Sequence, residues 1–308
     1  MKAIQQRGDL IVGFVKLGDE NGRAGSVGSQ VHDGDTIEVR APGGFGVRLL
    51  GVDAPEISFR LPGSSNFAEI SDPRWETFLS DPFGPDLKLP AGLKKHLEQS
   101  VGPGCATNHY THARKAEVAL EREVRADLKA LGKTAATFNF FLVFAHETMD
   151  RYGRFLAFIN RDQPTGQRPL TYNERMLEQG RVIPYFFWPN INPFRKQPSV
   201  VDAVIPPFKA KTIADSTPTL RRAMDWVRQA RANGVGLFEK KNPLRLLPFE
   251  LRYLADRRVP ERWTIDLSHN TDVLIPPGEY YRVPNPEDRL FLPPEYVPLF
   301  VQKGWKKG

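Results

Sequence analysis

Short apolar and β-branched runs, separated by polar stretches that contain glycine, characterise residues 10–52. Strands are predicted at residues 10–15, 36–40 and 46–50, and the Pro-Gly-Gly turn at residues 42–44 predicts a hairpin between the last two. Residues 57–110 break this pattern, because Pro, Gly, Ser and Asp dominate and only short helical patterns occur. We interpret this stretch as a long, partly ordered insertion.

Helical periodicity returns at Thr111, after which apolar residues recur every four positions, at Ala116, Leu120, Val124 and Leu128. This spacing predicts an amphipathic helix that ends near residue 131, before a glycine. Strands are predicted next at residues 137–144 and 155–159. Capping signals predict two further helices, which start at Thr171 and Thr217 and stop at Gly180 and Gly234.

The order of these elements, strands followed by a helix, strands and two helices, is typical of an α+β fold with an antiparallel sheet. Residues 241–308 show no clear periodicity and are rich in proline and aromatic residues. Such a segment is too apolar to be simply solvated, so we expect it to pack on the preceding part of the chain. The sequence therefore predicts a main domain at residues 1–240, with the insertion at 57–110, and an extension at 241–308.

Composition narrows the class of protein only slightly. The chain carries 43 Lys and Arg against 36 Asp and Glu, a net charge of +7, which favours a polyanionic partner or merely aids solubility. Its one cysteine, Cys105, excludes an intrachain disulfide and a multi-cysteine metal site. No signal-peptide core or membrane-spanning run is visible in the sequence. We therefore expect a cytoplasmic protein.

Three short segments concentrate charged residues beside predicted strands. In the first, Asp33 and Asp35 flank a glycine and offer oxygen ligands for Ca²⁺ or Mg²⁺, or alternatively cap a local turn. In the second, Arg48 lies within a Val/Leu strand, where burial is costly unless the guanidinium meets an anion or a nearby carboxylate. Asp53 and Glu56 follow that strand. The third segment, residues 150–154, predicts a tight turn with charged side chains.

Together, in this order, the three segments resemble the staphylococcal-nuclease (thermonuclease) family. That family's pattern comprises a DGDT turn, an RLL-x-V-D-x-P-E strand end and a D-[KR]-Y-G-R loop, present here at residues 33–36, 48–56 and 150–154. The resemblance covers roughly residues 10–240. It implies an OB-fold, a five-stranded antiparallel β-barrel with three helices, that hydrolyses phosphodiesters in DNA and RNA with Ca²⁺ and little sequence preference.

The resemblance also implies a metal site for one Ca²⁺ ion, with other divalent ions as alternatives. Asp35 and Asp53 would bind the ion, together with the backbone carbonyl of Ala54, where the family usually has threonine. A main-chain contact should tolerate that change. Asp33 matches a position that orients metal-bound water.

The remaining matched positions imply the chemistry and the nucleotide contacts. Glu56 would act as general base for the attacking water, while Arg48 and Arg154 would hold the phosphate. Tyr152 and Tyr185 match positions that flank the bound nucleotide, although packing at the barrel edge is an equally good interpretation. Phe187 stands where the family often has a second tyrosine, so a hydroxyl contact is lost there while stacking on a base stays open.

Other interpretations stay open at this point. The insertion begins directly after Glu56, so it is either a lid over the active site or a decoration on the side of the barrel. The segment Cys105–His112 suggests zinc, but its spacing fits no standard finger and a surface loop entering the helix at Thr111 is preferred. The main functional rival is a catalytically silent OB-fold module that binds nucleic acid or protein. A scaffold whose insertion and extension bind a protein partner is a third reading.

Overall fold

The computed structural model describes the 308-residue chain except residues 1, 8–9, 19–22, 25, 28–30, 34–35, 38, 42, 145, 151 and 191–198. The side chains of residues 6–7, 10–11, 31–33 and 36–37 also fall outside the description. The predicted roles of Asp33 and Asp35 therefore lie outside the described residues. Only the backbone of Asp33, at the end of a short strand, is described.

The N-terminal strands form short two-stranded pairs. β1 (Ile4–Arg7) pairs with β2 (Leu10–Gly13), and the further pairs are β3 (Lys16–Leu17) with β6 (Val39–Arg40) and β4 (Val31–Asp33) with β5 (Thr36–Ile37). The predicted hairpin between residues 36–40 and 46–50 is wrong for the described residues. Residues 36–37 and 39–40 pair with β4 and β3, and residues 47–49 pair with residues 155–157.

The strands that carry the predicted site residues belong to small sheets. β7 (Val47–Leu49) runs parallel to β12 (Phe155–Arg161), which pairs antiparallel with β11 (Phe140–Val143). β8 (Val52–Asp53) pairs antiparallel with β13 (Ile183–Pro184). Within the described residues the strands form two- and three-stranded sheets, and the five-stranded barrel stays a prediction.

The insertion is folded. It contains a hairpin of β9 (Ser58–Arg60) and β10 (Phe67–Glu69), then helices α1 (Pro73–Ser80) and α2 (Ala91–Glu98), and the start of α3 (Cys105–Leu131). The predicted surface loop before Thr111 is therefore wrong. Cys105, His109 and His112 are fully buried on one face of α3, so the helix begins six positions earlier than its apolar pattern suggested.

The predicted helices after β12 occur where their capping signals place them. α4 (Tyr172–Glu178) has the capping box of Thr171 and Glu174. α6 (Pro218–Asn233) begins after Thr217 and ends at Gly234, which has φ +63° and can close the helix in the left-handed region. A short helix, α5 (Ala210–Ser216), precedes it.

The extension at 241–308 consists of short elements interrupted by prolines. α7 (Pro248–Ala255) is followed by β15 (Trp263–Asp266), β16 (Val273–Leu274), β17 (Arg289–Leu292), α8 (Val297–Gln302) and β18 (Lys306–Lys307). β17 pairs with β15 and also runs parallel to β14 (Phe186–Phe187), while β16 pairs with β18. Single 3₁₀ turns occupy Thr165–Gln167, Gly236–Phe238, Pro277–Arg282, Pro286–Asp288 and Pro294–Tyr296.

Two apolar clusters form the core. One contains Trp188 and Met224 with residues of α8, and the other joins Trp75 of the insertion to Leu50, Phe249 and Phe291. The insertion and the extension thus pack together beneath the strands that carry the predicted site residues. No helix in the described part of the chain has both the length and the apolar character needed to cross a membrane.

Candidate active site

A cavity of about 420 Å³ opens beside the end of β7. Its walls come from β7, from residues 147, 149, 150 and 152, from Tyr185 and Phe187 in and just before β14, and from the extension. Four arginines and five carboxylates line it: Arg48, Arg252, Arg258, Arg262, Glu147, Asp150, Asp256, Glu261 and Glu295. The cavity is therefore a mixed-charge site rather than a uniformly basic groove.

The β7–β8 segment places Arg48 against Asp53. Between the two strands Gly51 has φ +76°, a conformation that glycine adopts without strain, and its carbonyl accepts a 2.9 Å bond from the amide of Tyr185. The resulting turn lets Arg48 Nη2 donate a 2.7 Å hydrogen bond to Asp53 Oδ1. The carboxylate of Asp53 is only 1% exposed, so its charge needs such a partner.

A second guanidinium reaches the same carboxylate from the extension. Arg252 on α7 donates from Nη2 to Asp53 Oδ2 at 2.8 Å and from Nη1 to Asp53 Oδ1 at 3.0 Å. The same Nη1 donates to Glu56 Oε1 at 2.5 Å. Burial opposes the charge of Arg252, but the facing carboxylates of Asp53 and Glu56 outweigh it and raise the pKa of the guanidinium above its usual range.

No sequence motif indicated Arg252, which lies 199 positions from Asp53. One signal was present, however. Arg252 is the single charged residue between Leu251 and Ala255, a run of otherwise apolar and aromatic residues. Such a charge is costly to bury without an anion, the same reasoning that singled out Arg48.

Glu56 is positioned through its backbone. Its amide donates a 2.8 Å hydrogen bond to Nε2 of His109, which is fully buried on α3. Burial lowers the pKa of His109 to about 3, so the imidazole is neutral and able to accept at Nε2. The Glu56 side chain is 24% exposed. Asp53 and Glu56 lie behind the two arginines rather than among the cavity-lining residues.

Arg154 lies near this cluster without joining it. In the parallel register Leu156 stands opposite Arg48, so Arg154, two residues earlier, lies on the same face of the sheet. Its guanidinium donates from Nε to Asp150 Oδ2 at 2.8 Å and stands 5.3 Å from the ring centre of Tyr152. Arg154 does not line the cavity. Its contact with a phosphate stays a prediction.

The predicted nucleotide-contacting aromatics do line the cavity. Tyr152, Tyr185 and Phe187 contribute to its wall, and Tyr185 stacks on Phe249 of α7 with ring centres 5.5 Å apart. Arg262 lies 5.3 Å from the ring centre of Tyr185 and 5.0 Å from that of Phe187, and its Nη1 is a buried donor without a hydrogen-bond partner. Sequence patterns did not indicate Arg262.

The described residues do not fit the predicted Ca²⁺ site. Both oxygens of Asp53 accept hydrogen bonds from guanidinium groups, and Ala54 is exposed on the surface. In the portion of the chain that the structure describes, no group of three or more His, Cys, Asp or Glu side chains is arranged to hold a metal ion. Asp35, the other predicted ligand, lies outside that portion.

The zinc interpretation of Cys105–His112 also lacks support among these residues. His109 Nε2 is engaged by the Glu56 amide, and His112 Nε2 lies 2.7 Å from the carbonyl oxygen of Asn242. Burial raises the pKa of the Cys105 thiol to about 11, so the thiol stays protonated at neutral pH. This face of α3 therefore contacts the backbone of Glu56 and the backbone of Asn242, which lies at the start of the extension.

No family model, curated protein or solved structure matches this chain.

Proposed function

We propose that this chain is a phosphodiester hydrolase of the staphylococcal-nuclease type, acting on DNA and RNA with little sequence preference. One observation carries the proposal: Arg48, Asp53 and Glu56, drawn from one motif, belong to a single charge cluster in which Arg48 lines the cavity and the two carboxylates lie behind it. The buried state of the only cysteine is compatible with a reducing, cytoplasmic setting, which we include in the proposal.

Arg48 and Arg252, two of the arginines in the mixed-charge wall of the cavity, suit an anionic substrate. Attack on a phosphodiester builds negative charge on the phosphoryl oxygens, and preorganised guanidinium groups stabilise it. The bond to Asp53 engages one of the five N–H donors of Arg48, which leaves donors for a phosphate in the cavity. A volume of about 420 Å³ falls within the roughly 300–1,000 Å³ of small-ligand sites and suits one nucleotide unit.

Glu56 is the residue that we propose to accept the proton of the attacking water. Arg252 engages its Oε1, so Oε2 is the oxygen that can take the proton. The hydrogen bond from its amide to His109 holds the backbone of this residue in place. A bound Ca²⁺ would add positive charge near the reacting phosphate, but the occupied oxygens of Asp53 do not fit it, and no step here depends on it.

A catalytically silent nucleic-acid-binding module is the second candidate, and one observation favours it. Arg252 engages Asp53 and Glu56 together, the two carboxylates that the nuclease chemistry would use. A carboxylate held by a guanidinium is a weaker base than a free one. If this effect dominates, the site binds phosphates but does not cleave them.

Degradation of end-labelled single-stranded and duplex DNA and RNA by the wild type and by Glu56→Gln decides between the two. A hydrolase loses turnover in Glu56→Gln by roughly 10²-fold or more, with nucleic-acid affinity nearly unchanged. Glu121→Gln on the exposed face of α3 serves as the matched control and should behave like the wild type. Binding without cleavage by the wild type would establish the silent module, and the absence of both would refute the proposal.

A further inference from the structure

The extension supplies a positive charge where the family resemblance places a metal ion. The guanidinium of Arg252 bridges Asp53, a predicted metal ligand, and Glu56, the predicted base. Its two terminal nitrogens engage both oxygens of Asp53 in a forked arrangement, which a planar guanidinium makes with a carboxylate. The forked contact between Arg252 and Asp53 is therefore an integral part of the site and not a peripheral one.

Among the residues that the structure describes, the charges around Asp53 balance one another. Asp53 and Glu56 carry two negative charges, and Arg48 and Arg252 carry two positive charges within hydrogen-bonding distance. A divalent cation placed against Asp53 would meet two guanidinium groups at close range and no unsatisfied carboxylate oxygen of that residue. Repulsion between like charges in a buried site is strong, because water screens it poorly there.

The helix α7, which carries Arg252, cannot withdraw without disrupting the core. On the same helix Phe249, Leu251 and Leu254 are at most 3% exposed, and they pack beside Leu50 of the site turn. The extension also contributes β17, whose four residues are all buried and two of which, Leu290 and Phe291, pair with β14. Removing α7 from the site would expose this apolar surface, so α7 is a permanent part of the site and keeps Arg252 within reach of the two carboxylates.

We propose that Arg252 is the resident cationic group of this site and takes the place of a divalent metal ion between Asp53 and Glu56. The site accordingly does not bind Ca²⁺ at Asp53, and its phosphate-neutralising charge comes from protein side chains. This inference rests on the proposed location of the active site, because it concerns the same two carboxylates. It does not require that the chain be catalytic.

Calcium binding tests the inference directly. CaCl₂ is titrated into chelator-treated wild-type protein, Arg252→Gln and Arg252→Gln/Asp53→Asn, with heat of binding and melting temperature as readouts. The wild type should show no binding up to ~10 mM, beyond the ~10⁻⁴–10⁻³ M range of weak natural Ca²⁺ sites. Arg252→Gln should bind one Ca²⁺ in that range and gain melting temperature, and adding Asp53→Asn should abolish both effects.

Arg252→Lys is a second variant that keeps the test decisive if Arg252→Gln fails to fold. It keeps the positive charge but loses the forked hydrogen bonds to Asp53. It should bind Ca²⁺ more weakly than Arg252→Gln and more tightly than the wild type. Arg125→Gln, an exposed change on α3, is the matched control and should respond like the wild type.

Wild-type protein that binds one Ca²⁺, with loss of binding in Asp53→Asn, would overturn the inference and leave the proposed nuclease standing. Folded Arg252→Gln and Arg252→Lys proteins that both ignore Ca²⁺ would also overturn it, because no cation position would then exist to be replaced. Failure to cleave nucleic acid, by contrast, would refute the proposed function while the Ca²⁺ titration still decided the role of Arg252.

Discussion

The imidazole of His109 and the backbone amide of Glu56 are joined by a hydrogen bond of 2.8 Å from the amide to Nε2. Because Nε2 accepts, the proton of the neutral ring lies on Nδ1. His109 belongs to the first turns of the long helix α3, which begins near the end of the insertion, and Glu56 is the last residue before the insertion begins. The chain therefore enters the insertion directly after Glu56, and His109, near the end of the insertion, returns to hold the backbone of Glu56.

His109→Leu should lower the free energy of unfolding by about 1–3 kcal/mol at pH 7, because it leaves the partly buried Glu56 amide without its acceptor. Turnover by a catalytic wild type should fall as well, with a smaller change in KM, since the backbone of Glu56 loses a support. His109→Asn offers an acceptor on a shorter side chain and should restore part of the stability. Urea unfolding and steady-state kinetics measure both effects, and equal loss in the two variants would contradict the role given to Nε2.

The pH dependence of stability should also change in His109→Leu. The pKa of His109 is about 3 in the folded protein against 6.5 ordinarily, so between these values only the unfolded chain binds the proton. Stability contributed by neutral His109 is complete above pH 6.5 and falls by up to ~1.4 kcal/mol per pH unit as the pH drops towards 3. The variant should lose less stability than the wild type between pH 6.5 and 4.5. His269→Leu, at an exposed histidine, controls for the loss of a histidine, and parallel wild-type and His109→Leu profiles would refute the assignment.

Arg48→Lys should reduce turnover by about 10²-fold if the chain is the proposed hydrolase. Lysine keeps the positive charge but cannot bond Asp53 and a phosphate at once with the geometry of a guanidinium. Steady-state cleavage of a fluorogenic oligonucleotide measures the effect. Arg114→Lys on the exposed face of α3 should leave turnover unchanged, and near-normal activity of Arg48→Lys would contradict the assignment of Arg48 to the phosphate.

A chain that ends at residue 240 should fail to fold cooperatively. It would lose β17, whose Leu290 and Leu292 are fully buried, and it would leave Asp53 without Arg252. Near-ultraviolet circular dichroism and thermal unfolding would show the loss of fixed packing. A chain that ends at Trp305 keeps that buried side chain and loses only the exposed strand β18, so it should fold. A cooperative melt of the 240-residue chain would contradict this prediction.

Asp127→Asn should lower the free energy of unfolding by about 3 kcal/mol at pH 7. Asp127 is buried and accepts bonds from Arg161, Arg175 and Tyr172 at 2.7–3.0 Å. Burial acts to raise the pKa of this carboxyl, but the bonds from Arg175 and Tyr172 lower it below the ordinary value of 3.8. Its stabilising effect is therefore present above pH 3.8 and is lost below it, where wild type and variant should converge. Urea unfolding checks this, with Glu121→Gln expected within about 0.5 kcal/mol of the wild type.

Elements with strong local signals were predicted from the sequence. The helix after Thr217 and the helix capped by Thr171 begin where their signals indicate. The predicted strand at 137–144 contains β11, and the one at 155–159 lies within β12, which continues to Arg161. Caps, proline at the first turn and helical periodicity act over a few residues, so they can be recognised without tertiary context.

Elements that depend on distant partners were predicted less well. The sequence predicts a loop where the first turns of α3 lie. The face of α3 that packs against the core carries histidines there, and these polar residues hide the apolar periodicity by which a helix is recognised. The hairpin at residues 36–50 does not form in the described residues because β7 pairs with β12. The extension has no periodicity to detect, since its strands and turns are short and each packs on a different part of the chain.

By itself, the sequence determined the candidate site as far as local motifs reach: Arg48, Asp53 and Glu56 lie within nine consecutive residues and are brought together by the β7–β8 turn. Only the tertiary structure placed Arg252 between the two carboxylates, from 196 and 199 positions further along the chain. The physical reason is that a charge pair of this kind gains its strength from burial. Burial exists only once α7 has packed against the site, and no local pattern of residues encodes it.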